Sequence, residues 1–91
     1  MTAYEVKGGG IRQGCRVPFT DPGYTAPSPE EIREALRLGS LTGSAAGDLV
    51  GVTGRTVRKW TGGEREVPYS AWRFLLIEIG LALEGSHAKE I

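Results

Sequence analysis

Four cations crowd one short stretch of the chain. Arg55, Arg58, Lys59 and Arg65 lie within residues 53–65 against a single acid, Glu64, a local net charge of +3. Guanidinium groups present planar donor forks that match phosphates, carboxylates and the O6/N7 edge of guanine. Arg58 and Lys59 follow Arg55 by three and four residues, so on a helix all three share one face. The rest of the chain is not basic: residues 1–20 carry +2, residues 21–52 carry −3 and residues 66–91 carry −2, giving a neutral whole. Bulk charge therefore cannot grip a polyanion, and any such grip has to come from the local patch. The ordinary alternative is a solvated helix face whose charges contribute little.

Other chemistry is poorly supplied. One histidine (His87), one cysteine (Cys15) and scattered carboxylates offer no nucleophile–base–orienter set. No catalytic residue is assigned, and an enzyme is disfavoured. The same two residues cannot furnish the four ligands of a Cys/His zinc site, so neither a metal nor another cofactor is expected, and no small-molecule ligand is evident. A lone thiol makes no internal disulfide and suits a reducing cytoplasm. Arg73, Glu78 and Gly80 interrupt the apolar run from Trp72 to Leu83, which rules out a membrane span of roughly 18 residues. Residues 1–7 lack the apolar stretch of a secretory signal. At 91 residues, 40% apolar and 24% charged, the chain reads as one small, soluble, cytoplasmic domain.

The cationic stretch needs elements to hold it. Residues 1–27 alternate glycines with Pro18, Pro22 and Pro27, and no helical or strand period survives them. They read as a mostly irregular arm, part of which can pack through Tyr4, Val6, Ile11, Val17 and Phe19. Ser28-Pro29-Glu30-Glu31 combines a hydroxyl cap, a proline at the first helical position and a glutamate at the third, the signature of a helix start. Ile32, Ala35, Leu36 and Leu38 carry its apolar stripe, and Gly39 is its expected left-handed terminator. Thr42 or Gly43 opens a second helix bearing Ala46, Leu49 and Val50, and Gly51 supplies a sharp turn. Thr53 caps a third helix that buries Val57 and Trp60, with Gly62 and Gly63 at its end. A fourth helix runs from Pro68 to about Leu83. The expectation is an all-α domain over residues 28–84, followed by a tail at 85–91.

The stretch from Leu41 to Trp60 resembles the helix-turn-helix unit of phage repressor and Cro-like (XRE-type) regulators. The likeness rests on small Gly47 four residues before Gly51, apolar Val52 directly after it, and buried Val57 and Trp60 on the second helix. Crossing helices need a small residue where their backbones meet and a glycine at the turn. With the first helix and the Trp60–Arg65 exit, the likeness covers residues 28 to about 83. One departure is Gly43, where the family often carries a polar side chain on phosphate; backbone N–H groups with Thr42 or Ser44 would have to replace it. Val67-Pro68-Tyr69-Ser70-Ala71-Trp72 more narrowly resembles the anti-CRISPR-associated (Aca-type) regulators of phages and mobile elements.

The resemblance implies a homodimeric repressor of transcription that binds an inverted repeat in double-stranded DNA. It assigns Arg55, Thr56 and Arg58 to base edges, and Thr42, Ser44, Thr53, Lys59 and Arg65 to phosphates. Lys7, Arg12 and Arg16 either add backbone or minor-groove contacts or only pack. The last helix is apolar on two sides, so it is expected to bury one against its own domain and the other against a partner, with Trp72, Leu76, Ile79 and Leu83 as the dimer face. Otherwise the arm folds back over that second side. The rival reading is a protein–protein module or antitoxin-like adaptor that uses the same helix.

Overall fold

The computed structural model of the chain describes residues 10–84. Tyr4, Val6, Lys7, His87 and the tail at 85–91, to which expectations were attached above, lie outside the described residues. A short 3-10 turn, η1 (Gln13–Cys15), precedes four α-helices: α1 (Pro29–Leu38), α2 (Gly43–Val50), α3 (Gly54–Thr61) and α4 (Tyr69–Ile79). Among the described residues there is no strand. The fold class is all-α, as expected. Helices α1 and α2 each pack against both α3 and α4, with α2 and α3 the most intimate pair.

Helix starts follow local chemistry. At α1 the Ser28 hydroxyl accepts the Glu31 N–H at 3.1 Å while the Glu31 carboxylate accepts the Ser28 N–H at 2.8 Å, satisfying two otherwise orphaned donors reciprocally. Thr42 and Thr53 cap α2 and α3 by accepting the N–H of Ala45 at 3.0 Å and of Thr56 at 3.2 Å. Helix ends required more than composition. Gly39 keeps a φ of −87°, and Ser40 takes the left-handed conformation at +55° instead. Gly39 is required for space: a Cβ there would stand 2.4 Å from Ile79 Cγ2. Helix α4 stops at Ile79 rather than near Leu83, because Gly80 turns left-handed (φ +80°) and Leu81 N–H folds back to the Leu76 carbonyl at 2.8 Å.

The core gathers Ile32, Ala35 and Leu36 of α1, Ala46 of α2, Val57 and Trp60 of α3, and Trp72, Leu75 and Leu76 of α4. Leu49, expected on the buried stripe of α2, is exposed, and the buried residues of that helix are Ala46 and Gly47. Residues 10–27 are part of the same body. Ile11 and Cys15 are buried, and Trp72 Nε1–H donates to the Cys15 carbonyl at 2.6 Å. Burial of the Cys15 thiol raises its pKa to about 11. Arg12 is committed to Glu31 through Nε and Nη2, both at 2.7 Å, and Arg16 Nε donates to the Leu81 carbonyl at 2.9 Å. In the described structure both arginines therefore pack the arm.

These contacts correct the expected dimer face at two of its four residues, Trp72 and Leu76. Trp72 and Leu76 are fully enclosed within their own chain, so a second copy cannot reach them. Ile79 is half-buried on Gly39, and Leu83 is off the helix with its N–H on the Arg16 carbonyl at 2.8 Å. The arm and the chain beyond Gly80 cover the surface that periodicity alone had left for a partner. What stays exposed on α4 is Phe74 and Ile77.

The α2–α3 turn is set by two close backbone approaches. Gly51 takes φ +81°, which an L side chain disfavours, and Val52 N–H returns to the Gly47 carbonyl at 2.9 Å. A Cβ on Gly47 would stand 2.5 Å from the Val52 carbonyl oxygen, and one on Gly54 would stand 3.2 Å from Ser44 Cα. A Cβ on Gly43, by contrast, would meet its neighbours at 3.8 Å or more, an ordinary contact.

Three stability predictions follow from this packing. Gly47→Ala should destabilise the fold by about 2 kcal/mol or more through backbone overlap, whereas Gly43→Ala should be neutral or stabilising by up to about 1 kcal/mol; urea denaturation separates them. Trp60 Nε1–H has no hydrogen-bond partner among the described residues, unlike Trp72. Trp72→Phe should therefore cost about 1–3 kcal/mol more than Trp60→Phe, because it strands a buried carbonyl. The third concerns acid. Burial raises the Glu31 pKa, but hydrogen bonds from the Arg12 side chain and from the backbone N–H of Ser28 and Arg12 outweigh it and hold the carboxyl at about 2, below its ordinary 4.5. A depressed carboxyl stabilises the fold above its unfolded pKa and loses that contribution as pH falls through the folded one. Half-exposed Arg12 is screened by water, so the contribution is on the order of 1–2 kcal/mol. Stability should fall between pH 4.5 and 2, and Glu31→Gln should flatten that decline in denaturation midpoints measured against pH.

Candidate nucleic-acid interface

Helix α3 has one buried side and one free side. Val57 and Trp60 are 1% and 2% exposed and pin it to the core, so the 100° advance per residue turns Arg55, Arg58 and Lys59 outward together. Arg55 and Arg58 are exposed and Lys59 is partly so. Arg65 joins them from the chain just beyond the helix, where its backbone N–H reaches the Lys59 carbonyl at 3.2 Å. Exposed Glu64 and Glu66 flank Arg65 in sequence and bound the cationic stretch.

These four cations share a second property. No hydrogen bond or ion pair to protein is formed by the side chains of Arg55, Arg58, Lys59 or Arg65 within the described residues. Every other described arginine is engaged. Arg12, Arg33 and Arg37 pair with Glu31, Glu30 and Glu34. Arg16 and Arg73 donate to the main-chain carbonyls of Leu81, Arg16 and Leu83. Arg33 also donates to the Thr61 carbonyl at the end of α3, a positive group at the negative end of that helix. Spacing did not reveal the Arg33–Thr61 contact, because Thr61 lies on another helix.

The first turns of α2 and α3 lie against each other beside the cationic face. Ser44 Oγ would be 2.9 Å from a Cβ on Gly54, and the Arg58 Cγ would be 4.0 Å from one on Gly43. Thr42 and Ser44 at the start of α2 and Thr53 at the start of α3 are all exposed. Each cap threonine accepts a backbone N–H on its hydroxyl oxygen, which leaves the Thr42 hydroxyl proton free to be donated, while the Thr53 hydroxyl also shares a hydrogen bond with that of Thr56. Both helix N-termini also carry partial positive charge. Thr56 stands apart: it is half-buried on the flank of α3, with its hydroxyl 3.3 Å from that of Thr53. The expected residues thus fall into two adjoining groups, the ridge Arg55–Arg58–Lys59 with Arg65 and the paired helix starts with Thr42, Ser44 and Thr53. No sequence pattern identified Gly54 as the residue that lets these groups adjoin; on propensity alone it only weakens the helix.

Among the described residues no helix is long and apolar enough to cross a membrane. No protein-family model matches the chain, and no solved structure matches it. Two Escherichia coli proteins do. One, a transcriptional repressor protein KorC, is 43% identical over 76 residues, spanning 80% of this chain and 87% of the relative. The other, also a transcriptional repressor protein KorC, is 40% identical over 80 residues, spanning 82% of this chain and 92% of the relative. The likeness thus runs through nearly the whole of both relatives rather than through the cationic helix alone, and on that extent the chain belongs to the family of the transcriptional repressor KorC.

Proposed function

We propose that this repressor acts by binding operator DNA through a helix-turn-helix of the phage repressor type, formed by α2, the Gly51 turn and α3. One observation carries the reading: among the described residues, the cations without a protein partner are those of α3 and its exit, while every other described arginine is engaged. In this reading α3 enters the major groove. Arg55 and Arg58 donate to base edges, a bidentate fork on guanine being the geometry a guanidinium suits best, and Thr56 meets a base or thymine methyl from the flank. Lys59 and Arg65 bind phosphate, as do Thr42, Ser44 and Thr53 with the adjacent helix starts.

A helix this short reads only a few base pairs, so two copies would occupy successive major grooves about 34 Å apart on an inverted repeat. Repression would follow where such a site overlaps a promoter, including that of the protein's own operon on a phage or other mobile element. Affinity would come largely from release of counterions at the phosphates. The protein would work in the cytoplasm, where its DNA lies.

Selection of bound sites from random DNA should recover an inverted repeat. On the selected site, Arg55→Ala should cost about 1–3 kcal/mol and relax preference at one base position of each half. Lys59→Ala should weaken all sequences alike and reduce the slope of log K against log salt by about one for each copy bound. Unchanged affinity and preference in Arg55→Ala would remove α3 from the reading.

A further inference from the structure

Among the described residues, helix α4 has one narrow stripe left uncovered. Ser70, Phe74 and Ile77 fall at helical spacing along it, and Phe74 and Ile77 are 42% and 55% exposed. Arg73 and Glu78 stand on its two shoulders, one just before Phe74 and the other just after Ile77. Glu78 is exposed and has no hydrogen bond or ion pair among the described residues. Arg73 is half-buried; Nη1 donates to the Arg16 carbonyl at 2.7 Å and Nη2 to the Leu83 carbonyl at 3.0 Å. A guanidinium carries five N–H donors, so Arg73 retains donors for a carboxylate.

We infer that a second copy of this chain covers the stripe, with the two α4 helices side by side and parallel across a two-fold axis. The shoulder charges choose the occupant and its direction. In a parallel pair, opposite shoulders face each other with a stagger of five residues. Arg73 of each copy then meets Glu78 of the other, and Phe74 and Ile77 meet their own counterparts between these charge pairs. An antiparallel pair sets like shoulder against like shoulder, and Glu78 would find no cation. The stripe is therefore self-complementary in one orientation, as a closed two-fold contact has to be.

This inference rests on the proposed reading of α3 as one half of a two-part DNA reader, since a single copy leaves that site incomplete. It places the partner on Phe74 and Ile77, which the described residues leave open, rather than on Trp72 and Leu76. Two apolar side chains per copy make a small contact, so association is weak without DNA.

The test is sedimentation equilibrium of the full chain without DNA, up to roughly 1 mM, where contacts worth only about 4 kcal/mol become visible. The expected result is a reversible monomer–dimer equilibrium. Ile77→Glu and Glu78→Arg should each weaken it by about tenfold or more, because two-fold symmetry counts every change twice. Phe19→Ser, at an exposed apolar residue of the arm, should leave it unchanged. Circular dichroism melts check that the variants stay folded, as the substituted positions are exposed. Ser70→Cys reports direction: the parallel pair brings the two residues 70 together and yields a disulfide-linked dimer under mild oxidation, while an antiparallel pair holds them apart. No association at the highest concentration overturns the inference. So does association indifferent to Ile77→Glu, loss with Phe19→Ser, or failure of Ser70→Cys to cross-link. Arg55→Ala should not change association, so a failed interface and a failed DNA reading remain distinguishable.

Discussion

The approach of α2 to the start of α3 is the contact on which the rest depends. Gly47 lies where a single methyl group would overlap the Val52 carbonyl, and Gly54 lies against the Ser44 backbone. Main chain meets main chain at both points, so neither can relax by a rotamer change. The consequence reaches the surface. With the helices this close, their N-termini adjoin, and Val57 and Trp60 reach the core only if Arg55, Arg58 and Lys59 turn outward. Three glycines in short helices are poor helix formers, and tertiary packing supplies what local propensity withholds.

A second constraint is the apportioning of charge. Eleven cations and eleven anions would permit an evenly paired surface. Instead, carboxylates and free carbonyls take up the arginines of the arm, α1 and α4, while α3 and its exit keep theirs unengaged. The Arg12–Glu31 pair shows how tightly one of these is used: the carboxylate that completes the α1 capping box also fastens the arm through the Arg12 guanidinium and the Arg12 N–H. Neutrality of the whole and a local cationic face are thus compatible, because the balancing acids lie on other elements. Membership of the KorC repressor family accords with a surface of this kind.

Much of the arrangement was legible before any coordinates. Three of the four helix starts are written in the sequence: the Ser28–Glu31 box, and the cap threonines Thr42 and Thr53, each bonded within its own first turn. Helix α4, which Pro68 precedes without a side-chain cap, begins one residue later than expected. The left-handed turn at Gly51 and the buried pair Val57 and Trp60 were equally plain. The ends of α1 and α4 were not. Ser40 rather than Gly39 turns left-handed, and Gly39 instead gives room to Ile79, a residue 40 positions away.

The sequence by itself determined the class of fold, the caps, the turn and the shared face of the cations, because each arises between residues within about one helical turn of one another. Only the tertiary structure decided which side of α4 is covered. Of the four residues expected to meet a partner, Trp72 and Leu76 are enclosed by the protomer's own packing and Ile79 and Leu83 are half-buried, while Phe74 and Ile77 are left outside. Periodicity shows that a helix has two apolar sides; it cannot show what lies against each. That depends on residues 10–27 folding back more than fifty positions to put the Cys15 carbonyl on Trp72 and the Arg16 carbonyl on Arg73. Contacts between main-chain carbonyls and distant side chains leave no spacing to read.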